Sequence, residues 1–383
     1  MKAIRNATRA QRDKAAAGSR AGEHDRNMAP LAGSSVVLDW RDPGQPPFRL
    51  AGLPWFAQDR VYRRLPLCPP EPIREAVSEL ANCPAGAQVA FQTDSTQLAV
   101  QVELTGPAYM NHMPATGQCG IDLYLGRPQA QRYYNTARYD IRETRYEVEL
   151  FAQPVAKLRT VTLNLPLYQG VKRLRIGLRP GALVRPPPPW SDARPIVIYG
   201  TSITQGGCAS RPGLLYSNII SRALNREVIN LGFSGNGCGE PEVIQLMAAI
   251  PDPGLLVLDY EANAGPYETY RQTLQAAIAR LRVAHPTVPL LVLSRIPFAS
   301  EFTHAVGCAA RQKRCRMQRD LVACLRRQGD RHLHFFDGAN LLGTDADECT
   351  VDGVHPNDLG FMRMARGLTP VLHKLAKRAR RTA

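Results

Sequence analysis

Residues 185–190 read Arg-Pro-Pro-Pro-Pro-Trp, and the hydrophobic rhythm of the chain differs on the two sides of this run. Four consecutive prolines offer no N–H to a β-ladder and hold the backbone stiff and extended. The run therefore predicts a linker over 186–192 between two domains. Upstream, apolar and polar residues alternate. Leu98, Val100, Val102 and Leu104 are separated by polar Gln101 and Glu103 and by Ala99. Tyr146, Val148 and Leu150 alternate with Glu147 and Glu149, Val161, Leu163 and Leu165 with Thr162 and Asn164, and Leu174, Ile176 and Leu178 with Arg173 and Arg175 nearby. A period of two marks strands with one buried face, so 34–185 is predicted to form an antiparallel β-sandwich.

Downstream the alternation gives way to short unbroken apolar runs: Ile196–Tyr199, Val228-Ile229, Leu255–Leu258, Leu290–Leu293 and His334-Phe335-Phe336. Strands of this kind are buried on both faces, which requires a parallel sheet between layers of helix. The intervening segments 213–225, 240–250, 267–284, 309–328 and 357–376 have helical length. This alternation predicts a three-layer, doubly wound α/β domain over 193–376. Residues 1–33 are expected to be a disordered basic arm and 377–383 a basic tail.

Several function classes drop out on composition. No apolar run approaches the ~18 residues of a membrane helix. The first 30 residues lack the apolar core of a secretory signal. Nine cysteines, an odd number irregularly spaced, do not make a complete disulfide framework, and a reducing, cytoplasmic location is the expectation. Net charge is +15, but it is concentrated. Residues 1–30, 311–331 and 363–383 carry +4, +6 and +7, and everything else totals −2. The excess lies in two ends and one helix rather than a domain-wide stripe, so no nucleic-acid partner is expected.

In a doubly wound sheet, ligands bind beyond the carboxyl ends of the strands. Those ends carry Gly200-Thr201-Ser202, then Asn230-Leu231-Gly232-Phe233-Ser234-Gly235-Asn236, then Glu261-Ala262-Asn263, and finally Asp352-Gly353-Val354-His355-Pro356. A serine hydroxyl becomes a nucleophile when an imidazole takes its proton and a carboxylate fixes the imidazole tautomer. The oxyanion that forms needs preorganised donors, such as N–H groups in a glycine turn and a side-chain amide. Taken singly, each piece has another reading. Ser202 and Asn263 are good helix caps, Gly235 suits a positive-φ turn, and Asp352 suits a capping turn. The glycines fit neither phosphate-loop pattern. Taken together, they are the set that acyl transfer through a serine ester demands.

These blocks resemble the GDSL-type serine esterases of the SGNH hydrolase superfamily. The usual Gly-Asp-Ser reads Gly200-Thr201-Ser202, as in one branch of that family. Asp352-Gly353-Val354-His355-Pro356 is similar to its last block, whereas the third, usually Gly-x-Asn-Asp, reads Glu261-Ala262-Asn263-Ala264. Gly120-Ile121-Asp122-Leu123-Tyr124 resembles the G-x-D-L-Y motif of that branch's N-terminal domain, and Arg63-Arg64-Leu65-Pro66 is also similar. The resemblance implies a flavodoxin-like α/β/α catalytic domain behind a jelly-roll-like sandwich. It implies Ser202 as nucleophile, His355 as general base, Asp352 as its orienter, and the Ser202 and Gly235 N–H groups with the Asn263 amide as oxyanion hole. It further implies hydrolysis of short-acyl esters on a carbohydrate or other small alcohol, or acyl transfer by the same acyl-enzyme.

No cofactor and no metal is expected. His332, His334 and Asp337 lie close in sequence but lack zinc-site spacing. A different class is an inert carbohydrate-binding protein using Trp55, Tyr124 or Tyr133. Cys208 and Cys238 flank the predicted site as thiols or as a bridge, and Arg211 either lines the pocket or makes a surface contact.

Overall fold

The computed structural model describes residues 21–378. Its alternating half forms two antiparallel sheets. One has the order β1 (Asp39–Arg41), β9 (Val171–Leu178), β4 (Gln97–Leu104), β7 (Arg145–Ala152). The other runs β10 (Val184–Arg185), β3 (Gln88–Thr93), β8 (Arg159–Asn164), β5 (Asp122–Leu125), β6 (Arg132–Thr136), with β2 (Arg49–Ala51) also on β3. The apolar positions of the sequence pattern meet between them. Leu98, Val100 and Val102 of β4, Val148 and Leu150 of β7, Leu174 and Ile176 of β9, and Val161 and Leu163 of β8 share one core. Their polar neighbours face out and pair across strands, as Gln101 Nε2 does with Glu147 Oε2 at 2.8 Å. This division is what a period of two produces when one face is dry.

The second half forms a five-stranded, all-parallel sheet in the order β12 (Val228–Gly232), β11 (Ile196–Gly200), β13 (Leu255–Asp259), β14 (Leu290–Leu293), β15 (Leu333–Phe336). Odd and even residues of each run serve different cores. Ile196, Ile198, Leu255, Val257, Leu291 and Leu293 pack with helices Tyr216–Leu224 and Asp358–Arg378. Val197, Tyr199, Leu256, Leu258, Leu290 and Val292 pack with helices Pro241–Ala248, Tyr267–Ala284 and Ala305–Arg327. Burial on both sides is why these strands show no polar alternation.

One reading of the sequence needs correction. The basic arm expected over 1–33 lies outside the described residues as far as position 20, as does the tail from 379. The end of that arm is not free, however. The Leu31 N–H donates to the Arg138 carbonyl at 2.8 Å, and the Ala32 carbonyl accepts from Glu149 at 3.0 Å. Backbone pairing of this kind is invisible to composition, which was all that suggested an arm. The basic helix Ala305–Arg327 also spends charge inside the fold. Arg311 pairs with buried Glu301 at 2.6 Å, Arg319 with Asp337 at 3.1 Å, and Arg314 and Arg326 donate to backbone carbonyls of Gly265 and Leu333. Much of the local positive charge is thus used internally. Among the described residues no helix is long and apolar enough to cross a membrane.

The two halves are joined by buried polar contacts. Asp122, the acid of the G-x-D-L-Y segment, is fully buried and accepts from Arg211 Nη1 at 2.8 Å, Gly213 N–H at 2.8 Å and Asn164 Nδ2 at 2.7 Å. Arg64 is also fully buried, and donates to the carbonyls of Cys83, Leu80, Asn230 and Gly232. Burial pushes its guanidinium down to about 10, so it remains a cation at neutral pH. Desolvating a cation costs several kcal/mol, on the order of what four charge-assisted bonds return. Arg64 therefore fixes the exit of β12 from the sandwich side.

Candidate active site

Register sets the first condition. In β11 Gly200 stands level with Gly232 of β12 and Asp259 of β13. Ser202 lies two residues past the end of the middle strand, Gly235 three past one neighbour and Asn263 four past the other. Parallel strands thus deliver all three to one edge. Only glycine serves at 200, because a Cβ there would lie 2.0 Å from Thr204 Oγ1 and 2.8 Å from the Asp259 carbonyl. Ser202 opens the short helix Ser202–Gln205. The cap is Thr201, whose Oγ1 accepts from the Ile203 N–H at 3.3 Å. Threonine thereby does what aspartate would do at that position, and the Ser202 hydroxyl is left uncommitted to the helix. The Ser202 N–H, in the first turn, has no intrahelical acceptor to serve.

Ser202 Oγ lies 2.8 Å from His355 Nε2, and His355 Nδ1 lies 2.6 Å from Asp352 Oδ2. A carboxylate only accepts, so Nδ1 carries the proton and Nε2 presents its lone pair to the hydroxyl. The second carboxylate oxygen accepts the His355 N–H at 2.8 Å and the Val354 N–H at 3.0 Å. Partial burial alone would raise the Asp352 carboxyl. Bonds from the His355 N–H, the His355 ring and the Val354 N–H outweigh it and hold the group below its ordinary value. Asp352 is therefore ionised at neutral pH.

The loop bearing these two residues is sewn to the serine loop. Thr350 and Pro356 form a bridge, and Val351 N–H donates to the His355 carbonyl at 2.9 Å. Cys208 N–H donates to the Pro356 carbonyl at 3.1 Å, and Asp358 accepts from Ser210 N–H and Oγ at 2.9 and 2.5 Å. These ties, 148 positions apart in sequence, bring the C-terminal imidazole to the serine.

Gly235 adopts φ +67°, and open space lies where its Cβ would be. Asn263 ends the turn Glu261–Asn263 after β13, and its Oδ1 is buried with no hydrogen-bond partner. The acid that replaces glycine in the third block, Glu261, is 1% exposed. It accepts from the Arg295 N–H at 2.9 Å and Gln318 Nε2 at 2.8 Å, anchoring the turn from below. Burial raises the Glu261 carboxyl, and the bond from the Arg295 N–H opposes that.

Other residues singled out from sequence fall elsewhere. Arg211 makes the Asp122 clamp, with its guanidinium 3.8 Å from the Tyr133 ring centre. Tyr124 is buried beside it, so these aromatics serve the domain junction. Trp55 packs half-buried against the helical core. Asp337 is engaged with Ser294, Cys315, Ala339 and Arg319. All nine cysteines are free. Burial, reinforced by the Asp352 charge, pushes the Cys208 thiol up to about 12, which disqualifies it as a competing nucleophile. His112 is new. It comes from the sandwich half, its Nε2 3.7 Å from Asp352 Oδ2 and its ring 6.2 Å from that of His355. A lone histidine in a loop carries no sequence signal.

The described residues thus place a serine, a histidine and an aspartate in hydrogen-bonded series at the carboxyl edge of the sheet of a three-layer α/β/α domain. Residues 193–373 match the GDSL-like Lipase/Acylhydrolase family, and residues 38–184 match GxDLY, the N-terminus of Esterase_SGNH_hydro-type. The chain belongs to this esterase family, in the branch whose catalytic domain follows a G-x-D-L-Y sandwich. Solved structures agree over nearly the whole length. A protein described as a GDSL-like lipase from Bacteroides ovatus is 27% identical, with 89% of this chain and 98% of that one covered and a TM-score of 0.78. The salicylyl-acyltransferase SsfX3 of a tetracycline biosynthetic pathway shares the fold at 20% identity (88% and 97% covered, TM-score 0.70). So does a family two carbohydrate esterase from Clostridium thermocellum at 12% identity (86% and 98% covered, TM-score 0.57). No curated protein shows significant sequence similarity.

Proposed function

We propose that this protein hydrolyses short-acyl esters, with acetyl as the reference acyl group, on a carbohydrate or other small alcohol. The observation that carries the reading is the unbroken series Ser202 Oγ, His355 Nε2, His355 Nδ1, Asp352 Oδ2, at 2.8 and 2.6 Å. Ser202 attacks the ester carbonyl while His355 takes its proton, and Asp352 stabilises the imidazolium. The Ser202 and Gly235 N–H groups and the Asn263 amide receive the oxyanion. His355 then protonates the departing alcohol, and water enters by the reverse route to release the acid. The carbohydrate alcohol draws support from the carbohydrate esterase among the structural neighbours, and the small acyl group from the resemblance of the sequence blocks. The acyltransferase among them supports a second outcome, in which an alcohol replaces water on the same acyl-enzyme.

The test is Ser202→Ala assayed on p-nitrophenyl acetate beside a panel of longer acyl chains and acetylated xylan. Activity should fall at least about 10⁴-fold and wild-type rates should drop with acyl length. Retention of most turnover by the variant refutes the assignment of Ser202. Added alcohols that divert acyl groups from water would mark the transferase outcome.

A further inference from the structure

His112, Cys208 and His355 come from the sandwich half, the loop after the serine helix and the Asp352–Pro356 turn. One potential ligand atom of each lies within 4.8 Å of the other two. Bound to one zinc ion, imidazole nitrogens at about 2.0–2.1 Å and a thiolate at about 2.3 Å stand roughly 3.3–3.8 Å apart. Small side-chain rotations close that gap, and His112, 36% exposed, has room to make them. Two imidazoles and a sulfur suit a borderline-soft ion such as Zn²⁺, and not Mg²⁺ or Ca²⁺, which take oxygen. The Asp352 carboxylate, 3.7 Å from His112, adds a compensating negative charge.

We propose that His112, Cys208 and His355 form an inhibitory zinc site at the mouth of the esterase centre. The inhibition, though not the binding, rests on the role proposed for His355. Zinc on Nε2 takes the lone pair that accepts the serine proton, and zinc on Nδ1 displaces the bond to Asp352. Either halts proton transfer. Binding forms a Zn–S bond and breaks the S–H bond, the proton passing to solvent, because a coordinated cation deprotonates even a thiol that burial keeps protonated in its absence. Three protein donors leave the fourth position to water. Because His112 belongs to the sandwich half, the device needs both halves of the chain.

Cobalt(II) tests binding without relying on turnover, since a thiolate ligand gives an intense ultraviolet charge-transfer band. One equivalent of Co²⁺ should raise this band in the full chain, and Zn²⁺ should bleach it. Zn²⁺ should also suppress p-nitrophenyl acetate hydrolysis, and EDTA should restore it. Cys208→Ser should lose the band. Cys208→Ser and His112→Gln should each weaken zinc binding at least about tenfold, given that even outer-shell changes cost about 10–100-fold. Ser202→Ala should keep the band, which separates failure of the metal site from failure of the catalytic reading. No band in the folded wild type, or unaltered affinity in both variants, overturns the site. A band without zinc inhibition of an active enzyme overturns its inhibitory role.

Discussion

Removing the Asp122 carboxylate should destabilise this protein more than most single changes, and a double-mutant cycle with Arg211 can show why. The Asp122 side chain is 0% exposed and that of Arg211 17%. Asp122→Ala strands the guanidinium, whose remaining side-chain hydrogen bond is to Tyr124 Oη at 2.7 Å, and takes the acceptor from Gly213 N–H and Asn164 Nδ2. Breaking a buried pair from one side costs about 3–5 kcal/mol, chiefly because a charge is left unpaired in the interior. At about 2–4 °C per kcal/mol, the thermal midpoint should fall by roughly 6–20 °C. Arg211→Ala should cost a similar amount, leaving a dry carboxylate with two neutral donors. The double variant leaves no orphaned charge, so its loss should fall short of the sum by about 1.5–3 kcal/mol. Urea unfolding of the four proteins measures each quantity. Single losses under about 1 kcal/mol, or additivity within about 0.5 kcal/mol, would refute the idea that this ion pair clamps the two halves together.

Asn263→Ala removes one proposed oxyanion donor and should lower kcat about 10²–10³-fold with little change in KM; a steady-state comparison on p-nitrophenyl acetate decides it, and an unchanged kcat would exclude the amide. Asp259, bonded to Tyr216 Oη at 2.9 Å and Thr204 Oγ1 at 3.1 Å, is pushed up to about 7 by burial against those opposing bonds. The folded state then holds a proton that the unfolded chain releases near 3.8. This contribution to stability is full below that value, declines as pH rises and is lost above about 7. Asp259→Asn should flatten the fall in urea midpoint across that interval, and a slope equal to wild type would show that the group titrates normally.

The candidate site was legible because its parts sit at fixed short distances beyond strands that announce themselves. Unbroken apolar runs located β11, β12 and β13, and the serine, glycine and asparagine follow within four residues of their ends. Asp352 and His355 were legible for the same reason, their spacing fitting a turn that returns one carboxylate oxygen to the ring and the other to the backbone. The Thr201 substitution was readable only as a departure until the helix start showed its hydroxyl in the capping position. His112 was illegible: it meets Asp352 across 240 positions, and nothing in its neighbours marks it.

Sequence alone determined the two layer types, the break between them and the edge at which the candidate residues gather. Each follows from local periodicity and the ordering of strands. Tertiary structure alone decided which sandwich residues reach the hydrolase half. Asp122 clamping Arg211, Arg64 holding the exit of β12, and His112 beside Asp352 are contacts between distant segments. Side-chain polarity can state that such groups need partners, but only the packed geometry selects which ones they find.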